Sequence, residues 1–142
     1  MAKVYRLTFG RKVANRFGAL LARRGIGQNW ILATTGATSG ERRDVVITPA
    51  EIEGRRYLVA PYGATAWVRN LRSHPRATLS HGGASIRIIA TEVSDEEAGR
   101  ALAKYYADNR KYVAGYMDVP GDKTITDFIA AADRYPVFRA DT

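Results

Sequence analysis

The sequence predicts an α+β fold with a mainly antiparallel sheet or small barrel. Three observations carry this expectation. Short apolar runs separated by tight Gly and Pro turns fill residues 30–93, which suits strands and hairpins. A serine followed by three acids opens a helical apolar stripe at residue 94. The order of elements, strands first with one short helix among them and longer helices after, fits segregated α+β packing, and five or six short strands could close on themselves.

The elements follow in order. In residues 10–24, Val13, Phe17, Leu20 and Leu21 share one helical face, basic residues lie mostly elsewhere, and Gly25 and Gly27 mark the stop. Residues 1–27 therefore read as a basic amphipathic N-terminal helix region within one domain spanning 1–142. Trp30 to Thr35 is a strand ended by Gly36, with Thr38-Ser39-Gly40 continuing the turn. Arg43 to Thr48 is a second strand stopped by Pro49, and Glu53-Gly54 punctuates the approach to a third over Arg55 to Tyr62. After Gly63, residues 66–74 suit a short helix with Thr65 at its N-cap and Pro75 beyond its end. Arg76 to Ser80 and Ser85 to Val93 flank Gly82-Gly83 as a hairpin. Ser94-Asp95-Glu96-Glu97 is a capping-box sequence for a helix to about Ala107, buried through Ala98, Ala101, Leu102 and Tyr105. Thr124 to Arg134 is a further helix, and Tyr135 to Arg139 a closing strand.

Composition narrows the function classes. The 142 residues are 46% hydrophobic and 25% charged, ordinary for a globular domain that buries its own core. With no cysteine there is no disulfide, thiolate metal site or cysteine nucleophile. No apolar run approaches the roughly 18 residues that cross a bilayer, and basic residues interrupt the N-terminus where a signal peptide would be apolar, so a cytoplasmic location is expected. Net charge is +8, and the first 40 residues hold Lys3, Arg6, Arg11, Lys12, Arg16, Arg23 and Arg24 without an acid. Such a field attracts nucleic acid, acidic lipid or a phosphorylated cofactor. The first reading of this helix is a terminal helix packed on the core; as the alternative, a basic amphipathic helix can lie against an anionic membrane, in peripheral contact with the inner membrane surface.

The two histidines, His74 and His81, sit near turns outside any triad or metal spacing, and no metal site is expected. No HExxH, GxSxG, Walker A or GxGxxG pattern occurs. An enzyme made from this chain would borrow its chemistry from a cofactor. Anion capture has better support: the Thr34-Thr35-Gly36 and Ser39-Gly40 turn offers backbone N–H groups and hydroxyls, and Arg42 and Arg43 add charge. Strand alternation directs only one of that pair to the site. The start of the 66–74 helix supplies further donors, with Trp67 and Leu71 on one face and Arg69 and Arg72 on another. Trp67 can equally be a core residue.

The pattern Thr34-Thr35-Gly36-x-x-Ser39-Gly40-x-x-Arg43, a strand pair, and then Trp67-x-x-Asn70-Leu71-x-x-x-Pro75 resembles the deazaflavin-dependent nitroreductase and quinone reductase family, reductases of actinobacterial type that use coenzyme F-420. The similarity runs from about Ile31 to Val93 and more loosely to the Tyr135-Pro136-Val137-Phe138 ending. It implies a split β-barrel akin to the flavin mononucleotide-binding barrels. It also implies a cofactor site in which Ala37, Thr38 and Ser39 line the acidic tail and Arg43 anchors it. Asp44, Val45, Val46, Ile47 and Thr48 would run beside the cofactor. Val59, Ala60, Pro61 and Tyr62 would back the ring, and Ala66, Trp67, Val68, Arg69 and Asn70 would hold the phosphate end and ring edge. Tyr112 or Tyr116 would contact substrate. Where many members carry a basic pair, this chain has Ala37-Thr38.

The resemblance thus implies hydride transfer from reduced F-420 to a small conjugated electrophile: a quinone, an unsaturated lactone or ester, or a nitroaromatic. The alternatives are a flavin mononucleotide-dependent split-barrel oxidoreductase and a non-catalytic F-420-binding protein. A nucleic-acid or acidic-lipid module is disfavoured, lacking a helix-turn-helix or RNP signature, so no nucleic-acid partner is expected. Monomer and homodimer both remain open.

Overall fold

The structure, a computed structural model, describes residues 28–142. The expected N-terminal helix, and the membrane contact assigned to it, lie outside the described residues. Seven strands and three helices follow: β1 Trp30–Thr35, β2 Arg42–Ile47, β3 Ala50–Ile52, β4 Arg55–Val59, α1 Ala66–Ser73, β5 Arg76–His81, β6 Ala84–Glu92, α2 Asp95–Val113, α3 Ile125–Ala131 and β7 Val137–Asp141. Every pairing is antiparallel, in the order β2-β1-β5-β6-β7-β4-β3. β7, the last strand in sequence, lies inside the sheet between β6 and β4.

The edges reveal the barrel. β2 and β3 lie at opposite ends of the sheet, yet only Thr48 and Pro49 separate them. Three residue steps span at most about 11 Å, so the sheet must curl until its edges nearly meet. A contact across this seam agrees: the Arg56 guanidinium of β4 lies 4.7 Å over the ring of Trp30 on β1. Trp30 also stacks on His81, centroids 4.8 Å apart, and His81 Nδ1 lies 3.0 Å from the Asn29 carbonyl. This is the split barrel that the resemblance implies.

Strand alternation divides the core in two. Inward residues Leu32, Leu58, Leu79, Ile88 and Phe138 meet Trp67, Val68 and Leu71 of α1 in the barrel interior. Outward residues Tyr57, Val59 and Val137 meet Leu102, Tyr105, Tyr106, Phe128 and Ala131, from α2, α3 and their stripes. Burial of each large apolar side chain contributes roughly 1.5–3 kcal/mol. α2 and α3 pack closely because Gly99 faces Ile129, where a Cβ would stand 2.9 Å from the Ile129 backbone.

The structure ends β4 at Val59, short of the expected Tyr62, and α3 at Ala131, short of Arg134, and it differs from the sequence expectation in three further places. β3 is an additional strand of three residues, too short to show alternation, paired to β4 through the Glu53-Gly54 turn, where both residues have positive φ (51° and 80°). α2 runs beyond Ala107 to Val113, with a non-helical Asn109 (φ −122°) whose side chain donates to the Tyr105 carbonyl at 2.9 Å. The box at its start is half formed. Ser94 accepts from Glu97 N–H, but the Glu97 carboxylate turns to Tyr57 Oη (2.8 Å) and Arg139 (2.9 Å) instead. No described helix is long and apolar enough to cross a membrane.

Candidate functional site

The two separated sequence motifs meet through one side chain. Asn70 of α1 is 7% exposed, and both ends of its amide are engaged. Its Oδ1 accepts from Ala37 N–H at 2.9 Å, and its Nδ2 donates to Thr34 Oγ1 at 3.1 Å. Thr34 Oγ1 in turn donates to the Arg43 carbonyl at 3.2 Å. The β1–β2 hairpin is thereby locked onto α1. The resemblance places Asn70 at the cofactor; its amide also positions the hairpin. Sequence reasoning missed this link, although a buried amide on an amphipathic helix was a signal for it.

The turn itself is more self-contained than a phosphate nest. Gly36 N–H donates to the Glu41 carbonyl (2.7 Å), Gly40 N–H to Gly36 (3.0 Å), and Glu41 N–H to Ser39 Oγ (3.1 Å). With Ala37 bonded to Asn70, these four amides are occupied. A Cβ on Gly36 would stand 2.5 Å from Ser39 Oγ, so a side chain there would push that hydroxyl off the Glu41 N–H. Ala37, Thr38 and Ser39 are exposed at the tip.

Register separates the arginines as alternation requires. Arg43 lies opposite Thr34, on the face that α1 covers, and meets Glu41 at 3.2 Å with 57% of its side chain exposed. Arg42 lies opposite Thr35 on the other face, with Nε 2.8 Å from Asp44, and that pairing raises its pKa. Val45 and Ile47 pack against the barrel interior, while Asp44 and Val46 share the outward face with Arg42. Thr48 Oγ1 donates to Asn29 at 3.1 Å.

Val59, which ends β4, and Ala60 after it are buried in the two cores, and only their backbone can face a ligand. Pro61 is buried, and Tyr62 is half-buried, edge-on to Tyr116 with centroids 5.0 Å apart. Burial pushes the Tyr105 hydroxyl well above its ordinary range, and neighbouring Tyr62 adds to the effect. Tyr112 is 68% exposed. Of the two candidate tyrosines, the structure brings only Tyr116 to the residues expected to back the ring.

α1 completes the constellation. Trp67 and Val68 face the barrel, with Trp67 6.1 Å from Phe138, whereas Ala66 and Arg69 are exposed. Thr65 stands at the N-cap but makes no side-chain cap, and the first turn holds no acid. Arg69 donates to the Ala64 carbonyl at 2.7 Å, which holds its cation beside this helix start. Leading amides without a cap, a favourable dipole and a nearby guanidinium are what an incoming phosphate needs. His74 and His81 take no part, and no group of metal ligands occurs among the described residues.

Residues 5–128 match the F-420H(2)-dependent quinone reductase family. The chain belongs to that family. It is accordingly an oxidoreductase that depends on coenzyme F-420. A comparison with curated proteins finds no match. Solved structures share its fold. An F-420-H2 dependent reductase is 22% identical with TM-score 0.56, over 80% of this chain and 94% of its own. A domain-swapped dimer is 22% identical with TM-score 0.60, over 94% and 100%. A conserved hypothetical protein from Mycobacterium tuberculosis is 20% identical with TM-score 0.56, over 85% and 77%.

The residues at one end of the constellation have the chemistry an anionic cofactor would need. The open start of α1 beside Arg69 suits its phosphate, and Arg43 suits a second anionic group. With Ala37-Thr38 at the hairpin tip, this turn has no basic side chain of its own for an acidic tail.

Proposed function

We propose that this reductase acts on electrophilic conjugated compounds, quinones first, with unsaturated lactones or esters and nitroaromatics as the wider range. Bound and reduced, F-420 supplies a hydride from C5 of its ring. The protein then needs to bind, orient and provide a proton. Arg43 and the α1 amides hold the anionic groups, the backbone of 44–48 and 59–62 flanks the ring, and Tyr62 with Tyr116 forms the wall against which a flat substrate stacks. Tyr116 is the proton source for the reduced substrate. The observation that carries this reading is the Asn70 link, which puts the Arg43 hairpin and the uncapped helix start on one rigid unit.

The test is a fluorescence-quenching titration with oxidised F-420 beside flavin mononucleotide. We expect tight, salt-sensitive binding of the deazaflavin, weakened about tenfold or more by Arg43→Ala, about 1.4 kcal/mol. Preferential binding of flavin mononucleotide would overturn the site assignment. Steady-state assays with a quinone and a nitroaromatic then rank substrates, and Tyr116→Phe should lower kcat far more than Tyr112→Phe. The basic residues 1–27 support contact with a membrane that holds quinones; flotation with anionic liposomes, lost on deleting those residues, checks it.

A further inference from the structure

We propose that the outward face of β1, β5 and β6 carries a second site, for a multiply charged oxyanion, separate from the α1 side of the hairpin. The register places its parts. Arg76, Ile89 and Asp141 stand opposite one another across β5, β6 and β7, Ala33, Thr78 and Arg87 do so across β1, β5 and β6, and Thr35 pairs with Arg42 at the adjoining end of β1 and β2. Arg76 and Arg87 are diagonal neighbours, roughly 7–8 Å apart at Cα. These residues line a groove of about 600 Å³ that also includes Gly40.

The groove gathers two cations that no carboxylate balances among the described residues. Arg43, Arg56, Arg72, Arg134 and Arg139 each meet a carboxylate, and within the groove Asp44 takes up Arg42. Asp141 is committed to Arg139 and Thr91. Arg76 and Arg87 meet no acid among the described residues. Two like charges side by side on a sheet repel, and an oxyanion bridging them relieves that repulsion. Guanidinium forks suit paired oxygens of phosphate or carboxylate. Thr35 and Thr78 add hydroxyl donors, while half-exposed Ile89 and the small Ala33 accommodate a short apolar linker between charged groups.

Two sources offer this chemistry: a free phosphorylated molecule, or a γ-linked glutamate chain such as the acidic tail of the cofactor, passing round the hairpin tip at Gly40. The second source rests on the F-420 reading; the first does not.

The experiment is calorimetric titration of the full chain at low salt with inorganic pyrophosphate and, separately, with tri-γ-glutamate. We expect saturable 1:1 binding of at least one probe, reduced tenfold or more in Arg76→Ala/Arg87→Ala and less in Arg76→Lys/Arg87→Lys, which keeps the charges but loses the forks. Arg100→Ala/Arg110→Ala, on the exposed face of α2, should leave it unchanged. Binding of pyrophosphate alone identifies a phosphorylated ligand; binding of the peptide alone, with weakened F-420 binding in the double alanine variant, identifies the tail. Binding of neither probe overturns the proposal, as does equal loss in the α2 variant. So does gel filtration in which the groove variant alone changes oligomeric state, which would make the face an interface between copies. Because neither probe contains a deazaflavin, failure here is distinct from failure of the cofactor assignment.

Discussion

The two halves of the sheet are built to different purposes. Behind β3, β4 and β7, helices α2 and α3 cover the outward face, and its polar groups are tied together. Glu97 accepts from Tyr57 and Arg139, Arg139 reaches Asp141, and Asp141 accepts from Thr91. Behind β2, β1 and β5 no described helix covers the face, and Arg76 there meets no acid among the described residues. The covered half thus carries stability, whereas on the other half Arg76 and Arg87 meet no acid among the described residues and carry the proposed oxyanion site. The cofactor candidates lie between them, round α1.

The contrast can be broken most severely on the covered side. Leu102→Ala removes a fully buried side chain from the interface of α2 with the sheet and should cost about 2–5 kcal/mol, read as a fall in the urea midpoint. Asn70→Ala, at the boundary, leaves Ala37 N–H unpaired and should cost about 1–3 kcal/mol. It should also weaken F-420 binding, because the Arg43 hairpin loses its tether. Asn70→Asp keeps the acceptor for Ala37 and should recover part of that loss; an unchanged affinity in Asn70→Ala would sever the hairpin from the site.

A pH titration sharpens the comparison further. The hydrogen bond from Tyr57, and then Arg139, hold Glu97 below the ordinary carboxylate range. Asp141 is lowered by Arg139 first and then by Thr91. A depressed folded pKa means the unfolded chain binds more protons in the acid range, so this stability is present above the ordinary carboxylate pKa and is lost as pH falls through the folded values. Stability should therefore drop on acidification, and Glu97→Gln should flatten that slope. The smallest effect belongs to the open side: Arg76→Ser should change stability by no more than about 0.5 kcal/mol, and a large loss would show that this face is structural after all.

Much of this division was legible in the sequence. The apolar run Trp30–Thr35 ended by Gly36, alternation over the arm that becomes Ala84–Glu92, the Ser94 cap and the Gly-Gly hairpin are local signals, and each element formed where its signal lay. β3 escaped because three residues show no period, and its partner arrives only after the Glu53-Gly54 turn. The end of α2 escaped because Asp108, Asn109 and Arg110 interrupt the apolar stripe, while Asn109 repairs the backbone with its own side chain. At the site, alternation correctly separated Arg42 from Arg43. The role of Asn70 depends on partners 33 and 36 residues away, which no local pattern encodes. The contact of Tyr116 with Tyr62, which Tyr112 does not share, likewise depends on the packing of an irregular segment.

The interior position of β7 has a consequence for how the protein is made. During synthesis, β3 and β4 emerge early, but their path into the sheet runs through Val137–Asp141, with Arg56 pairing Ala140 and Val59 pairing Val137. Until those residues leave the ribosome, β4 and β6 each present an unpaired edge, and the nascent chain holds two incomplete sheets. Such long-range closure is slow and leaves strands open to other chains. Folding to one sheet therefore waits on the last described strand, and a nascent chain stalled before Val137 would be vulnerable to aggregation.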